Sequence, residues 1–219
     1  WRERLKRATN MSEFKEVRQK ITDLASISSI FLKNYKPRST DVIISPFSKS
    51  GTTWLQQIVH GLRTRGSMDF DEITDVTPWI EWAQIGNWDV NQNQVSKPRV
   101  YKSHLSFHEI PKGAKYICSF RHPDTQLLSF YRFLEGWWFE KGSLGLEEFA
   151  DFTALRDPKN SGYWHHLSSW WGQKNNDNVL LLSFEGMIAD FPRTINKLAD
   201  FLEIELDDEL CEILKIQSS

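Results

Sequence analysis

The sequence predicts an α/β protein in which helices cover both faces of a central parallel sheet. Short apolar runs alternate with segments where apolar residues recur every three or four positions. This alternation is typical of strand–helix–strand units, whose strands are buried on both faces and read as unbroken apolar runs. The length of 219 residues fits one domain of ordinary size, so we expect a single domain over residues 1–219.

Four short runs are predicted to be strands: residues 42–44, 99–102, 116–120 and 179–182. In a parallel sheet, ligands bind beyond the carboxyl ends of the strands. Polar residues that directly follow these runs are therefore candidate functional residues. Lys49, His104 and Arg121 each follow a predicted strand closely, so we expect them to converge at one edge of the sheet.

Apolar residues at helical spacing predict the helices. Residues 12–26 carry such a stripe, and Pro123 occupies a first helical position, where its fixed φ is favourable. The helix after the first strand is expected to end near Gly66. Further helices are predicted from Pro123 onwards and over residues 146–155, 163–173, 193–202 and 207–216.

The composition argues against nucleic-acid and membrane partners. A net charge of -2 is not the basic excess of a nucleic-acid-binding protein. No unbroken apolar stretch approaches the ~20 residues that span a bilayer, and the start shows no secretory signal. Cys118 and Cys211 lie far apart in apolar runs, so we expect reduced core residues rather than a disulfide. These features predict a cytoplasmic protein.

The segment after the first strand has the chemistry of a phosphate site. Gly51 lets the backbone approach an anion, and Lys49 adds a positive charge. Ser50, Thr52 and Thr53 add hydroxyl donors at the start of a helix, where free N–H groups and the helix dipole favour anions. The order Lys-Ser-Gly-Thr-Thr is not that of a Walker A loop. The alternative is a helix start without a ligand.

A second motif, residues 102–104, follows the second predicted strand. Strand alternation places Lys102 and His104 on the same side. An imidazole with an ordinary pKa of about 6.5 accepts a proton near neutral pH, which suits a general base beside a cation. A lone histidine is more often structural, so both interpretations stay open on the residues alone.

Arg121, Ser129 and a tryptophan pair complete the candidate set. Arg121 ends a predicted strand, and its planar fork suits phosphate oxygens, with Ser129 about two turns into the next helix. The alternative is a surface arginine and an ordinary helix serine. Trp79 and Trp82 are either packing residues or the wall of an apolar pocket.

Taken together, these motifs resemble those of the cytosolic sulfotransferases. Residues 47–54, Phe-Ser-Lys-Ser-Gly-Thr-Thr-Trp, are similar to the family's Tyr-Pro-Lys-Ser-Gly-Thr-Thr-Trp motif. Agreement continues in order at residues 78–81, 98–105, 120–121 with Ser129, 162–164 and 184–187. It covers roughly residues 36–215. The resemblance implies a sulfotransferase fold whose P-loop-like segment binds phosphosulfate.

The resemblance also implies the reaction. A sulfuryl group would pass from 3′-phosphoadenosine 5′-phosphosulfate (PAPS) to a hydroxyl or amine of a small, partly apolar acceptor, leaving PAP and needing no metal. The implied cofactor-binding residues are Lys49 on the bridging oxygen, Ser50, Gly51, Thr52 and Thr53 on the phosphosulfate, Trp54 and Phe184 at adenine, and Arg121 and Ser129 on the 3′-phosphate.

The implied catalytic residues are His104 as the general base, together with Lys49 and Lys102. Trp79, Trp82 and Phe133, with His104, would line the acceptor pocket. The alternative function is a protein that binds PAP or PAPS without turnover.

Three departures from the family pattern stand out. Ser48 replaces the proline of the first motif, and Phe184 stands where the family usually has tyrosine. The family's Arg-Lys-Gly-x-x-Gly-Asp-Trp segment, which clamps the 3′-phosphate, is not among the 219 residues. A segment that pairs subunits in many relatives lies beyond the same point, so both a monomer and a homodimer are expected possibilities.

Overall fold

A four-stranded parallel sheet forms the centre of the computed structural model, which describes residues 6–29, 32, 35–154 and 162–218. The strands lie in the order β2-β1-β3-β4. Their bounds are β1 Val42–Ile44, β2 Val100–Lys102, β3 Lys115–Phe120 and β4 Val179–Ser183.

Strand β1 is hydrogen-bonded on both sides. Ile44 lies opposite Lys102 of β2 and Ile117 of β3. The pairing extends past the strand, because the N–H of Ser45 donates to the carbonyl of Ile117 at 2.9 Å and that of Ser103 donates to Ile44 at 2.8 Å. The segments that follow β1 and β2 therefore leave the sheet next to one another, whereas β3 continues to Phe120.

Helices cover both faces of the sheet, which confirms the predicted fold class. One face packs on α2, α8 and α9, and the other packs on α6 and a short 3-10 helix. The helices are α1 Met11–Ser29, α2 Thr52–Thr64, α3 Ile73–Val76, the 3-10 helix Ile80–Trp82, α4 Pro123–Trp137, α5 Leu146–Ala154, α6 Gly162–Trp171, α7 Phe184–Ala189, α8 Phe191–Leu202 and α9 Asp208–Ser218.

The alternation of strand side chains explains how two cores form on one sheet. Val42 and Ile44 face the cluster with Leu55 of α2, whereas Ile43 faces the cluster with Trp170 of α6. A third cluster lies outside the sheet, where Phe14 of α1 packs on aromatic side chains near α4 and α5. This cluster supports α4, which carries the candidate site residues Ser129 and Phe133.

The predicted strands and long helices are confirmed, with small shifts at their ends. The second strand begins at Val100 rather than Arg99, and α6 ends at Trp171 rather than at residue 173. Residue 155, the predicted end of α5, lies outside the described residues. Helices α3 and α7 and the 3-10 helix were not predicted, because three to six residues are too few for a periodic pattern.

Both cysteines are free, as expected. Cys118 is buried in β3, whereas Cys211 on α9 is half-buried and packs against the edge of the core. Among the described residues, no helix combines the length and apolar character needed to cross a membrane.

A buried ion pair joins the amino ends of β1 and β2. The Nε and Nη2 atoms of Arg99 donate to the two carboxylate oxygens of Asp41 at 2.8 and 2.6 Å. Asp41 also accepts hydrogen bonds from the Tyr35 hydroxyl and the Arg38 N–H. Nη1 of Arg99 donates to the carbonyls of residues 90–92. Removing one partner of such a pair leaves the other as an uncompensated buried charge.

We expect Asp41→Asn to lower the free energy of unfolding by about 3–5 kcal/mol, because it leaves the Arg99 guanidinium without its buried counter-charge. Urea denaturation measures this loss. Glu212→Gln is the control, since the Lys215–Glu212 pair is exposed and solvent screens it. If the two variants unfold at the same urea concentration, the buried pair does not hold the strands.

Candidate active site

The chain turns from β1 through residues 45–51 into the amino end of α2. Lys49 and Gly51 both adopt left-handed backbone conformations, with φ of 66° and 97°. Gly51 is the N-cap of α2, and no side chain caps the helix. The first N–H groups of α2 and the positive end of its dipole are therefore available to an anion.

Two hydroxyls at this helix start are buried without a partner. Ser50 Oγ and Thr52 Oγ1 have no hydrogen-bond partner within the described part of the chain. A buried hydroxyl without a partner is unfavourable, and native structures normally satisfy such groups. Thr53, by contrast, is exposed. The buried pair, together with the uncapped helix, fits an oxyanion ligand such as a phosphate or sulfate group.

Aromatic side chains pack beside Gly51 at the end of this loop. Phe184, the first residue of α7, lies so close to Gly51 that a Cβ added there would be 2.8 Å from its ring. Trp54 meets Phe184 edge-on at 6.0 Å and stacks on Phe191 at 5.3 Å. The indole N–H of Trp54 donates to the carbonyl of Ser218 at 2.8 Å. The structure therefore places Trp54 and Phe184, the two residues expected at adenine, next to the loop backbone.

Arg121 lies against the same loop. Its Nη1 donates to the carbonyl of Lys49 at 3.0 Å, and its guanidinium lies 4.4 Å from the ring centre of Phe184. The Nε atom donates to Thr125 of α4. Ser129 is half-buried two turns into α4, and within the described residues it makes no hydrogen bond to the loop or to Arg121. The structure thus joins Arg121, but not Ser129, to the loop.

The side chains of Lys102 and His104 both contact the ring of Trp79. The Lys102 ammonium lies 3.9 Å from the ring centre of Trp79, and the His104 ring contacts the same indole edge-on at 5.1 Å. Trp82 packs against Trp79 at 5.6 Å. The prediction that strand alternation puts Lys102 and His104 on one side is confirmed by this shared contact.

The hydrogen bond at His104 Nδ1 defines the state of the imidazole. Nδ1 lies 2.7 Å from the carbonyl oxygen of Pro46. Because a carbonyl only accepts, Nδ1 carries the proton and the lone pair of Nε2 is available. Burial, with a smaller effect of Lys102, lowers the pKa of His104 to about 3. The ring is therefore neutral at physiological pH, and its Nε2 lone pair is not protonated.

The pKa values of Lys49 and Lys102 are both lowered at this edge of the sheet. Burial lowers the pKa of Lys102 to about 8; Glu81 opposes that effect and Lys49 adds to it. The Lys49 ammonium lies 4.4 Å from the ring centre of Phe133. Burial and the nearby Arg121 lower the pKa of Lys49. The expected convergence of the residues that follow the strands is confirmed.

Two buried groups near the site were not among the predicted site residues. The carboxylate of Glu81 accepts the backbone N–H of His104 at 2.6 Å. His166 of α6 is buried 5.5 Å from the ring of Phe47, and burial lowers its pKa to about 3. Glu81 lies within the motif at residues 78–81, which was a usable signal, whereas no sequence pattern marks His166.

The family of the chain follows from comparison with known proteins. Residues 39–218 match the family model described as a sulfotransferase domain. The chain belongs to the sulfotransferase family.

Among the described residues, no group of three or more His, Cys, Asp or Glu side chains is placed to hold a metal ion.

Two curated relatives show the extent of the similarity. Sulfotransferase 2A1 of Homo sapiens is 30% identical over 190 residues, which cover 83% of this chain and 66% of the relative. Amine sulfotransferase of Oryctolagus cuniculus is 28% identical over 193 residues, which cover 86% of this chain and 64% of the relative. The chain thus spans somewhat less than two thirds of the length of these relatives.

Solved sulfotransferase structures share the fold. A mouse sulfotransferase, SULT7A1, complexed with PAP matches with a TM-score of 0.64 at 21% identity, covering 86% of this chain and 68% of that one. A putative steroid sulphotransferase of Arabidopsis thaliana matches with a TM-score of 0.70 at 18% identity, covering 90% and 74%. At these identities the likeness establishes the fold alone.

We expect Gly51→Ala to weaken binding of an oxyanion at the start of α2, probed with inorganic phosphate, by about tenfold or more, as measured by titration calorimetry. The alanine Cβ would strain a left-handed position, at about 1–2 kcal/mol, and would also press on Phe184. Gly113→Ala is the matched control, since Gly113 has φ of 107° but open space around it. Equal affinities of the two variants would show that the close approach at Gly51 does not shape the anion site.

Proposed function

We propose that this protein transfers a sulfuryl group from PAPS to a hydroxyl or amine of a small, partly apolar acceptor. One observation carries the proposal. The uncapped start of α2, with its unpartnered Ser50 and Thr52 hydroxyls, lies at the same sheet edge as a neutral His104 with an available Nε2. An anion site beside a proton acceptor is what sulfuryl transfer requires.

The loop residues are proposed to bind the phosphosulfate of PAPS, which supplies the activated sulfuryl group. Ser50, Gly51, Thr52 and Thr53 offer hydroxyl and backbone donors at the helix amino end, where negative charge is favoured. The ammonium of Lys49 is proposed to stabilise charge that develops on the bridging oxygen. A cation next to fixed N–H donors performs this task without reorganisation during the reaction.

The nucleotide end is proposed to bind on the other side of Gly51. Arg121, already held against the loop, would bind the 3′-phosphate with Ser129. Trp54 and Phe184 would contact adenine. One face of Trp54 is already stacked on Phe191, so only its other face is proposed to take part.

His104 is proposed to act as the general base. Its Nε2 takes the proton of the acceptor hydroxyl or amine as the acceptor atom bonds to sulfur, while the bond between sulfur and the bridging oxygen breaks and PAP leaves. The carbonyl of Pro46 accepts the Nδ1–H and so holds the ring in the productive tautomer. Lys102 is proposed to stabilise charge on the sulfuryl oxygens. In-line positioning and charge stabilisation carry most of such a transfer, as they do in phosphoryl transfer.

The acceptor is proposed to bind between aromatic side chains. Trp79 and Trp82 contact one another beside His104, and Phe133 is partly exposed next to Lys49. Similar proteins are named for hydroxysteroids and for amines. Flat or apolar acceptors that carry one hydroxyl or amine fit these aromatic walls.

The two free thiols suit a reducing compartment, and we propose a cytoplasmic location.

The direct test is to incubate the protein with PAPS and acceptors of both kinds, a hydroxysteroid and an arylamine, and to detect sulfated product by mass spectrometry. Product formation supports the transferase. Tight binding of PAP without any product would favour the alternative, a nucleotide-binding protein without turnover. Absence of both binding and product would refute the proposed function.

We expect His104→Ala to lower kcat by about 10²–10⁴-fold, since a general base typically contributes that much. The affinity for PAP should change little, because the imidazole is assigned to the acceptor and not to the nucleotide. His108→Ala is the matched control, as His108 is an exposed histidine four residues further along the chain. Near-normal turnover by His104→Ala would contradict the assignment of the base.

The pH dependence of kcat/KM for PAPS, which reports the ligand-free protein, is predicted from the two shifted groups. Lys102 is charged below its pKa of about 8, so kcat/KM should fall as the pH rises through about 8. His104, with a pKa of about 3, stays neutral above that value and should give no acid limb between about pH 5 and 7. An acid limb near pH 6.5 would show that His104 has an ordinary pKa, and a flat profile to pH 10 would remove Lys102 from catalysis.

A further inference from the structure

Glu81 is a buried carboxylate that contacts the catalytic segment. It lies in the 3-10 helix Ile80–Trp82 and is 8% exposed. Its Oε1 accepts the backbone N–H of His104 at 2.6 Å. Its Oε2 makes no hydrogen bond of normal geometry in the part of the chain that the structure describes, although the side chains of Trp79 and Ser103 act on the carboxylate and lower its pKa. A buried carboxylate with a weakly hydrogen-bonded oxygen is costly unless a nearby charge compensates it.

The same short segment also holds Lys102. The N–H of Lys102 donates to the carbonyl of Pro78 at 2.9 Å, and its ammonium lies on the ring of Trp79. Residues 78–81 therefore bind the backbone at 102 and 104 and the side chain of Lys102. Any displacement of this segment would move both residues together.

The negative charge of Glu81 acts on the ammonium of Lys102. The charged or titratable groups that act on Lys102 are Glu81 and Lys49, and the neighbouring His104 ring is neutral. Glu81 raises the pKa of Lys102, whereas burial and Lys49 lower it. The pKa of Glu81 itself is raised by burial, against which the N–H of His104 acts. Glu81 is thus the negative group that offsets the buried ammonium of Lys102.

We propose that Glu81 is a positioning residue that fixes the backbone at His104 and acts as the counter-ion that keeps Lys102 protonated for transfer. The inference rests on the proposed function for its role in catalysis. The electrostatic link between Glu81 and Lys102 does not depend on turnover, so it can be tested separately.

The test is Glu81→Gln, which preserves the shape and the acceptor oxygen but removes the charge. The titration of Lys102 is followed by NMR of the lysine Cε–Hε signals in the ligand-free protein, with the signal assigned from its loss in Lys102→Arg. We expect the midpoint near pH 8 to fall by about one unit or more in Glu81→Gln. The alkaline limb of kcat/KM should shift in the same direction.

Glu109→Gln is the matched control. Glu109 accepts the N–H and hydroxyl of Ser106 in the segment just after His104, but it is exposed and does not act on Lys102. This variant should leave the Lys102 midpoint at its wild-type position. If Glu81→Gln does not fold, Glu81→Met replaces the carboxylate with an apolar side chain of similar size and should lower the midpoint as much.

An unchanged Lys102 midpoint in a folded Glu81 variant would overturn the counter-ion role. A lowered midpoint with an unshifted alkaline limb of kcat/KM would overturn its role in transfer. If the wild-type protein makes no sulfated product, the proposed function fails by itself, while the NMR titration still decides whether Glu81 sets the charge of Lys102.

Discussion

The hydrogen bonding of β1 on both sides is the constraint on which the site depends. The strand has only three residues, all buried, and it sets the ends of β2 and β3 in register beside it. A slip by one residue would turn Ile43 and its neighbours to the wrong faces and break both cores. The same register places the anion loop, Lys102 and Arg121 at one edge. The geometry of the candidate site is therefore a consequence of how the core packs.

Gathering three cations at a partly buried edge is unfavourable, because they repel each other and lose hydration. The protein offsets this with aromatic faces: each cation lies within 4.4 Å of a ring centre. Such contacts contribute about 0.5–2 kcal/mol each. The cation–ring pairs are Lys49 with Phe133, Lys102 with Trp79, and Arg121 with Phe184. An anionic ligand would complete the compensation, which agrees with the unpartnered hydroxyls at the start of α2.

Local patterns in the sequence predicted most of the fold and the chemical groups of the site. The loop at residues 49–53 and the Lys102–His104 pair lie at or just after the ends of predicted strands, so their position at the sheet edge could be predicted. Contacts between distant segments were not: Glu81 and His104 are 23 residues apart, and the Trp54 indole reaches the carbonyl of Ser218 across the fold. Propensity and periodicity carry no information about which side chain will meet which backbone group.

The low pKa of His104 has a consequence for the order of events. An imidazole with a pKa of about 3 is a weak base, because burial and Lys102 both disfavour its protonated form. In the proposed reaction, an anion bound between Lys49 and Lys102 offsets that positive field and raises the pKa of His104. Proton acceptance then becomes less unfavourable once the donor is in place. The arrangement that stabilises the anion thus also prepares the base, so that charge at one edge of the sheet links donor binding to acceptor activation.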